Sequence, residues 1–333
     1  MARIHTVTAC LFLIAAAGAY AAPQLSLPLA CVPGKTCWVA NYVDLAPGSE
    51  ARDYRCEDRT YDGHNGVDFA IEDEKAMRAG VAVLAAAPGR VRAVRDGVPD
   101  RNVRQLGTEA VRKIECGNGV AITHPDGWET QYCHLREGSI SVRQGEVIET
   151  GQKLGLVGMS GLTEFPHVHL TVRHDGTVID PFLGEGRQAC GGRTASLWSE
   201  SAKAALPYLR GVVFHAGVAG VKPSSEDIRA GKFDQDGDTP VLDKSAAVIV
   251  FAEVLGISAG DTVTVSIRDP SGTLPVRSEF PMTVRQARWF GFAGRPRKAG
   301  TFEPGRYTAE IAVRHADGTV EPASRRSFEF DVR

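Results

Sequence analysis

Short runs of alternating apolar and polar side chains dominate the pattern of this chain. Apolar residues occupy every second position in 67–71 and again in 166–172, and the run 131–135 is also extended in character. A period of two predicts β-strands with one buried face. The 36 Gly and 18 Pro residues favour many turns over long helices. The pattern therefore predicts a mainly β fold.

The polar faces of these predicted strands carry candidate chemistry. Asp68 points away from the apolar face of its own strand. His167 and His169 are two residues apart and so share one face, where two imidazoles can converge on one site. His134 lies in the third extended run, and His64 stands just before the first.

Four imidazoles and one carboxylate are enough for a catalytic zinc site. Zinc binds neutral imidazole nitrogen and carboxylate oxygen, and a catalytic zinc usually keeps three protein ligands and one position for water. A His, Asp, His set fits that number, and the two other imidazoles could carry protons or donate to a developing oxyanion. The isolated histidines show no such pattern, and we expect them to be structural or surface residues: His124, His174, His215 and His315.

A series of short motifs surrounds these residues between about 63 and 181. The strings are GHNGVDFA at 63–70, AAAPGRV at 85–91, GNGVAITH at 117–124, YCHL at 132–135, GQKLG at 151–155, VGMSG at 157–161 and PHVHL at 166–170. In content and order the series resembles the lysostaphin-type (LytM-like) zinc metalloendopeptidases. The resemblance implies a LytM-like antiparallel β-sheet catalytic domain with one Zn²⁺ as cofactor.

The resemblance also assigns roles by position in the motifs. His64, Asp68 and His169 match the zinc ligands, and His134 and His167 match the two catalytic histidines that do not bind the metal. It implies that a zinc-bound water attacks a peptide carbonyl, that His167 helps to take the water proton and that His134 stabilises the oxyanion or orients water. Which histidine is the base stays open. Asn65 receives no role.

The substrate implied by the resemblance is peptidoglycan, cut in its peptide stems or cross-bridges. Two alternatives stay open: a non-catalytic activator or binding module for cell-wall hydrolases, and a secreted zinc protease that acts on proteins. Retention of all five motif residues argues against the first alternative. Thr163-Glu164-Phe165 departs from the small polar residues common before Pro-His-x-His, so we expect Phe165 to shape the groove wall.

Residues 1–21 have the features of a secretory signal peptide. Arg3 precedes the apolar run 11–17, and Ala19-Tyr20-Ala21 offers a small-x-small cleavage site. The run is too short for a stable membrane span. We therefore expect an exported protein of the periplasm or the extracellular cell envelope. The net charge of −2 gives no electrostatic reason to expect nucleic-acid binding, and no pattern indicates an oligomeric state.

Cysteine usage agrees with export. Cys10 lies in the leader, and six cysteines remain, which allow fifteen pairings that the sequence does not distinguish. Proximity favours Cys31–Cys37, which would leave Cys56–Cys116 and Cys133–Cys190. Cysteines inside the region of the resemblance suggest a disulfide-linked extracytoplasmic branch of the family.

The chain divides into five predicted segments. They are the leader 1–21, an irregular lead-in 22–54, the peptidase domain 55–192, a helical linker 193–210 and a β-sandwich domain 211–333. Ser196 or Thr194 can cap the linker helix, and Leu197, Ala204 and Leu206 can supply its apolar stripe. Alternating runs near 263–267, 307–313 and 328–332 favour an immunoglobulin-like sandwich at the end of the chain.

Two weaker signals lie in the last segment. Residues 234–238 resemble the start of a calcium loop but lack the closing Glu, so an acidic surface turn is favoured. Trp289-Phe290 near Arg295, Arg297 and Lys298 could form a sugar-binding platform, but such aromatics are more often core residues.

Overall fold

The structure is a computed structural model that describes residues 22–185, 188–192, 195–233, 245–296 and 302–333. The predicted leader with Cys10, the acidic turn 234–238, Thr194, Arg297 and Lys298 lie outside the described residues. In the described ranges, no helix combines the length and the apolar composition that crossing a bilayer requires.

The described residues of the N-terminal part, defined here as 22–209, form ten strands and three short α-helices. The strands are β1 (Cys37–Asn41), β2 (Val67–Ile71), β3 (Ala82–Leu84), β4 (Gly89–Arg95), β5 (Asn118–Thr123), β6 (Trp128–Leu135), β7 (Val147–Ile148), β8 (Lys153–Leu156), β9 (His167–His174) and β10 (Thr177–Val178). The helices are α1 (Glu74–Ala79), α2 (Val103–Leu106) and α3 (Glu200–Ala205), and Thr108–Val111 forms a 3-10 turn.

One antiparallel sheet organises this part. Its strand order is β1-β2-β9-β6-β5-β4-β7, with β10 paired to β9, and β3 and β8 form a separate two-stranded ribbon. The apolar positions of β2 and β9, among them Phe69 and Val168, are buried in one core. The two strands predicted from alternation are confirmed, and their polar positions are left for the opposite face.

The C-terminal part, residues 211–333, forms two further antiparallel sheets in its described residues. The strands are β11 (Val212–Ala219), β12 (Ala247–Ile257), β13 (Thr262–Arg268), β14 (Val276–Pro281), β15 (Gln286–Pro296), β16 (Gly305–Arg314) and β17 (Arg325–Val332), with α4 (Ser225–Arg229) after β11 and a 3-10 turn at Pro322–Ser324. The sheets are ordered β11-β12-β15 and β14-β13-β16-β17.

The two C-terminal sheets share one apolar core. Val250 of the first sheet and Val265 and Ile311 of the second are fully buried in the same cluster. The mainly β, antiparallel fold expected from the sequence is thus confirmed. The immunoglobulin-like topology and the five segment boundaries stay predictions. Trp289 is a buried member of this core, which agrees with the core interpretation of that residue.

The two parts contact each other directly. Trp38 of β1 packs edge-on against Phe214 of β11, with ring centroids 5.4 Å apart. The Arg59 guanidinium donates to the carbonyl oxygens of Val39 and Leu209 and so holds the end of the N-terminal part, from which the chain enters the C-terminal part. Ser258 donates to Asp58 across the same junction, with 2.7 Å between the oxygens.

The lead-in and the linker differ from their predicted form. The lead-in is not wholly irregular, because β1 pairs with β2 and extends the sheet. The linker helix is only Glu200–Ala205, and Ser199 caps it by accepting from the Ala202 amide. The helix does not include residues 197–199, because this segment pairs with the lead-in. The Leu25 amide donates to the Leu197 carbonyl, and the Ser199 amide donates to the Leu25 carbonyl. The buried helix position is accordingly Ala202 and not Ala204.

Two of the three predicted disulfides are wrong. Cys31–Cys37 is present, but the other pairs are Cys56–Cys190 and Cys116–Cys133. Cys116 leads into β5 and Cys133 lies on the neighbouring strand β6, so sheet pairing brings them together. The loops that carry Cys56 and Cys190 meet through a bond from the Gly191 amide to the Tyr54 carbonyl. Long-range contacts, which spacing along the chain does not reveal, select these partners.

Pairwise Cys→Ser replacement should destabilise the oxidised protein in the order of loop length. A disulfide chiefly restricts the unfolded chain, so the entropic model gives about 2, 3 and 5 kcal/mol for loops of this size. The corresponding sequence separations are 6, 17 and 134 residues. Urea denaturation of the three double variants measures these losses. A larger loss for Cys31–Cys37 than for Cys56–Cys190 would contradict the expected order.

Candidate metal centre

Pairing of β2 with β9 places two of the predicted residues opposite each other. In this antiparallel pair Asp68 is the direct partner of His169. Both side chains lie on the sheet face turned away from the core that Phe69 and Val168 fill. His64 enters from the loop before β2, where its backbone amide bonds to the Tyr61 carbonyl.

Three potential ligand atoms meet at this point. The Oδ1 atom of Asp68 lies 2.8 Å from Nδ1 of His169 and 3.1 Å from Nε2 of His64. The two imidazole nitrogens are themselves 3.1 Å apart. Asp68 and His64 are buried, and His169 is partly open to one side.

The remaining ring nitrogens are held by acceptors outside the cluster. Nδ1 of His64 donates to the Tyr42 carbonyl at 2.6 Å, so its Nε2 carries the lone pair. Nε2 of His169 lies 3.1 Å from Oδ1 of Asn65 and 3.0 Å from Oγ1 of Thr171. Donation to Asn65 leaves the lone pair of His169 on Nδ1. Such outer partners fix the tautomer and the direction of metal-binding imidazoles.

The charge of Asp68 dominates the electrostatics of the cluster. Burial alone would raise the pKa of Asp68, but the imidazoles of His64 and His167 hold that pKa well below its usual value. Burial alone would lower the pKa of His64, but the Asp68 carboxylate raises it. Burial lowers the pKa of His169. A buried carboxylate that stays ionised attracts cations to this point.

The donor set fits zinc. Two imidazole nitrogens and one carboxylate oxygen are zinc ligands, and three of them leave a fourth position open. Ligand atoms around a tetrahedral zinc lie about 3.3 Å apart, because each bond is about 2.0–2.1 Å long. The three donor separations of 2.8–3.1 Å are close to that value.

A second cluster of potential ligand atoms lies where the two parts meet. It consists of Glu72, Asp73 and His215. Asp73 already caps α1 by accepting from the Ala76 amide at 2.7 Å, and Nδ1 of His215 faces Glu253 at 3.2 Å. The first cluster is therefore the candidate metal centre.

The two other predicted histidines stand beside the cluster with defined tautomers. Nδ1 of His167 donates to the Phe165 carbonyl at 2.9 Å, and its Nε2 lies 3.5 Å from Oδ1 of Asp68. Nδ1 of His134 donates to the Ser160 carbonyl at 2.7 Å. The two rings are 4.7 Å apart. Each neutral ring therefore keeps a lone pair on Nε2.

His134 is held in an unusual backbone conformation. Its φ angle of 63° lies in the left-handed region, which costs a residue with a Cβ atom about 1–2 kcal/mol. Burial lowers the pKa of His134 well below its usual value, and the neighbouring imidazoles of His167 and His169 lower it further. The ring is consequently neutral at pH 7, and its Nε2 can accept a hydrogen bond.

Two clefts open beside the cluster. One, of about 380 Å³, is lined by His64, His134 and His169 together with Tyr61. The other, of about 500 Å³, is lined by Asp68, His134 and His167. Tyr61 and His134 border both clefts. We therefore describe the two clefts as the smaller and the larger half of one groove over the cluster. Phe165 lines the larger half, where the sequence predicted it.

Comparison with known proteins identifies the segment that carries the cluster. Residues 62–181 match the model of Peptidase family M23. They form a peptidase family M23 domain. The predicted resemblance to LytM-like peptidases is thereby confirmed, because the matched segment contains all five predicted site residues.

Several curated proteins are similar to this M23 domain. The DD-carboxypeptidase/endopeptidase Mpg of Neisseria meningitidis is 35% identical over 118 residues, 35% of this chain and 22% of that protein. The peptidoglycan DD-endopeptidase ShyB of Vibrio cholerae is 30% identical over 109 residues, 33% of this chain and 20% of that protein. The chain thus matches only about a fifth of the length of these relatives.

Solved structures are also similar to part of this chain. The catalytic domain of the M23 protein EnpA from Enterococcus faecalis is 23% identical, covers 48% of this chain and 94% of its own, and gives a TM-score of 0.31. The catalytic domain of lysostaphin from Staphylococcus simulans is 21% identical, covers 42% of this chain and 85% of its own, and gives 0.27.

Sequence patterns missed one residue that supports the M23 cluster from outside the matched segment. Asn41 of β1 pairs in register with Asp68 and donates to its Oδ2 atom at 2.8 Å. The amide oxygen of Asn41 in turn accepts from Arg285 of the C-terminal part at 3.3 Å. No motif marks Asn41, because its place depends on the pairing of the lead-in with β2.

Asn65 and Thr163 were also overlooked. Asn65 received no role, yet it is a hydrogen-bond partner of His169. The Thr163 hydroxyl lies 3.1 Å from Nδ1 of His167. In the sequence, the only sign of these two roles is that Asn65 lies within one histidine motif and Thr163 lies just before the other.

Among the isolated histidines, His124 takes a structural position. Both of its ring nitrogens are hydrogen-bonded, one to the Pro88 carbonyl and the other to the Thr130 hydroxyl.

Proposed function

We propose that this chain is an exported zinc metalloendopeptidase that hydrolyses peptide bonds in peptidoglycan stems or cross-bridges. The observation that carries the proposal is the donor cluster of His64, Asp68 and His169, with the imidazoles of His134 and His167 beside it in an open groove. The names of the similar curated proteins, which include a peptidoglycan DD-endopeptidase, support the choice of substrate.

The metal would be held by Nε2 of His64, Oδ1 of Asp68 and Nδ1 of His169. One Zn²⁺ in this position supplies Lewis acidity, which polarises a peptide carbonyl and makes water more acidic. His64 donates to the Tyr42 carbonyl, His169 donates to Asn65, and Asn41 donates to Asp68, so that each member of the ligand set is oriented by an outer partner.

His167 is suited to the first proton transfer. Its tautomer leaves the lone pair on Nε2, and the Asp68 carboxylate at 3.5 Å stabilises the imidazolium that forms when water loses its proton. The protonated ring can then give the proton to the amine that leaves. Both steps need the ring orientation that the Phe165 carbonyl imposes.

His134 lies next to His167, with 4.7 Å between the ring centroids. As a neutral ring with Nε2 unprotonated it can accept a hydrogen bond from water and so orient it. It can donate to a developing oxyanion only after it has gained a proton. Both rings keep the lone pair on Nε2, and what distinguishes His167 is the Asp68 carboxylate 3.5 Å from that atom. Our proposal therefore makes His167 the first base and gives His134 a positioning role in the same step.

Three disulfides support export, because such bonds persist in oxidising compartments. We accordingly propose a location in the periplasm or the extracellular cell envelope.

Incubation with purified sacculi and with cross-linked muropeptides tests the activity. We expect the zinc-loaded chain to release fragments with new amino termini, visible by mass spectrometry, and we expect a chelator to abolish the release. His169→Ala is the matched control for contaminating hydrolases. Full zinc occupancy without cleavage of either substrate would refute the peptidoglycan assignment, and chelator-sensitive cleavage of an unfolded protein substrate instead would favour a general protease.

A further inference from the structure

The C-terminal part supplies one wall of the larger half of the groove. Asp68, His134 and His167 line this cleft, and Arg229 of α4 and Arg288 of β15 line it from the C-terminal part. These two guanidinium groups thus face the same space as the imidazoles of the M23 domain. A peptide that enters this half of the groove must pass both parts of the molecule.

Arg288 is neutralised within the wall. It donates from Nε to Oε1 of Glu253 at 2.9 Å and from Nη2 to Oε2 at 2.5 Å. Nδ1 of His215 also approaches Oε2 of the same carboxylate at 3.2 Å. Burial alone would raise the pKa of Glu253, but Arg288 lowers it to about 2. Glu253 is therefore an anion whose two oxygens are already occupied.

Arg229 has no comparable partner among the described residues. Its nearest carboxylate oxygen is Oε1 of Glu253, 3.7 Å from Nε, which is beyond hydrogen-bond distance. The Nε atom is buried and makes no hydrogen bond. Burial lowers the pKa of Arg229, and the nearby Arg288 charge lowers it further. Glu253 thus faces two guanidinium groups and bonds to only one of them. Glu164, the other carboxylate that acts on Arg229 in this cleft, is paired with Arg104 at 2.7 Å, so Arg229 has no carboxylate of its own among the described residues.

Helix α4 is fixed to the M23 domain at this place. Nη2 of Arg78 donates to the Ala230 carbonyl at 2.8 Å, directly after Arg229. Nε2 of Gln105 donates to Oε1 of Glu226 at 3.1 Å on the same helix. These two bonds hold Arg229 at the groove and keep its guanidinium in a defined position, which reduces the entropy lost when it binds a ligand.

We propose that Arg229 binds a carboxylate of the substrate peptide, so that the C-terminal part is a specificity-determining wall of the substrate groove. The planar guanidinium matches the two oxygens of a carboxylate, and the partly buried site strengthens the attraction. The proposal rests on the proposed function, because it names a feature of the substrate that the peptidase would select: a free carboxylate next to, and not part of, the bond that is cut.

Two synthetic peptides test the proposal. Both have the sequence that the muropeptide experiment shows to be cut, but one keeps its free carboxylates and the other carries carboxamides there. We expect the kcat/KM of the wild-type chain to be about 10- to 100-fold higher for the carboxylate peptide, which is the effect of one hydrogen bond to a charged group. The difference should arise mainly from a lower KM. Arg229→Ala should reduce this ratio to about one, and Arg229→Lys should restore it in part.

The ratio separates recognition from a structural defect. A variant that is merely distorted lowers kcat/KM for both peptides by the same factor and keeps the ratio, which would overturn the proposal. Arg277→Ala is the matched control, since Arg277 is exposed on β14 and paired with Glu279 at 2.7 Å. A wild-type chain without preference between the peptides would also overturn the proposal.

A binding measurement keeps this inference distinct from the proposed function. If the zinc-loaded chain cuts no peptide, calorimetry with a carboxylate-rich stem peptide and its carboxamide still compares the two affinities. Carboxylate-dependent binding that Arg229→Ala removes would support the subsite even though the hydrolase assignment had failed. Equal binding of the two peptides would refute the subsite.

Discussion

His169→Ala is expected to abolish both metal binding and peptide hydrolysis. The substitution removes one of three donor atoms and leaves Asp68 without the nitrogen that lies 2.8 Å from its Oδ1 atom. Loss of a ligand should weaken zinc binding by more than the roughly 10–100-fold typical for loss of an outer partner. Zinc content after gel filtration and the rate of muropeptide cleavage are the two measurements, and both should fall to background.

Two further variants give the matched comparison for this result. His174→Ala changes a histidine at the end of the same strand, where it stacks on Trp128, and should leave zinc content unchanged. Asn41→Ala removes the donor to Asp68 but no ligand, so zinc affinity should fall about 10–100-fold while some activity survives at high zinc. An His169→Ala protein with one zinc per chain would exclude His169 as a ligand.

Replacement of His134 should separate metal binding from turnover. His134 contributes no atom to the donor cluster, so the variants should bind one zinc, yet they lose the imidazole that we propose to orient water in the groove. General acid–base or oxyanion assistance typically contributes about 10²–10⁴-fold, and kcat should fall by that factor. Single-turnover cleavage of a muropeptide, measured on zinc-loaded protein, gives the loss directly.

The left-handed backbone at His134 determines which variant is most informative. Ala is strained at a φ of 63°, whereas Asn is tolerated there and can still donate to the Ser160 carbonyl. His134→Asn therefore tests the chemistry with the smaller structural disturbance. His124→Ala is the control for removal of a buried, fully hydrogen-bonded imidazole, and it should lower stability more than kcat. Normal turnover in His134→Asn would exclude His134 from the mechanism.

Contact between the two parts changes what removal of residues 211–333 should do. The sequence alone predicts that small peptides are still cut if the last segment only positions substrate. In the structure, Arg285 bonds to Asn41, which bonds to the proposed ligand Asp68. Arg288 also lies over the Phe165 ring, 5.6 Å from its centroid, beside the carbonyl that orients His167. Removal of the C-terminal part therefore disturbs a ligand and the proposed base together.

Local patterns in the sequence were sufficient for the strands and the candidate site residues. The period-two alternation in β2 and β9 fixes which side chains face the core, and so it fixes that Asp68 and His169 lie on the opposite face. The motif series identified the family, because those short strings combine glycine and proline residues typical of turns with histidine and aspartate residues that can bind a metal. Neither inference needs contacts between distant segments, so both could be made from the sequence.

Only the tertiary structure decided the features that depend on which distant segments meet. Register between β1 and β2 places Asn41 on Asp68, and packing of the C-terminal part places Arg229 and Arg288 at the groove. Strand pairing likewise selected the Cys116–Cys133 bond over the partner predicted from spacing. Side-chain alternation repeats every two residues and carries no information about partners in other segments. The sequence by itself therefore determined the candidate reacting groups, and three-dimensional packing decided what supports them and what charge lines their groove.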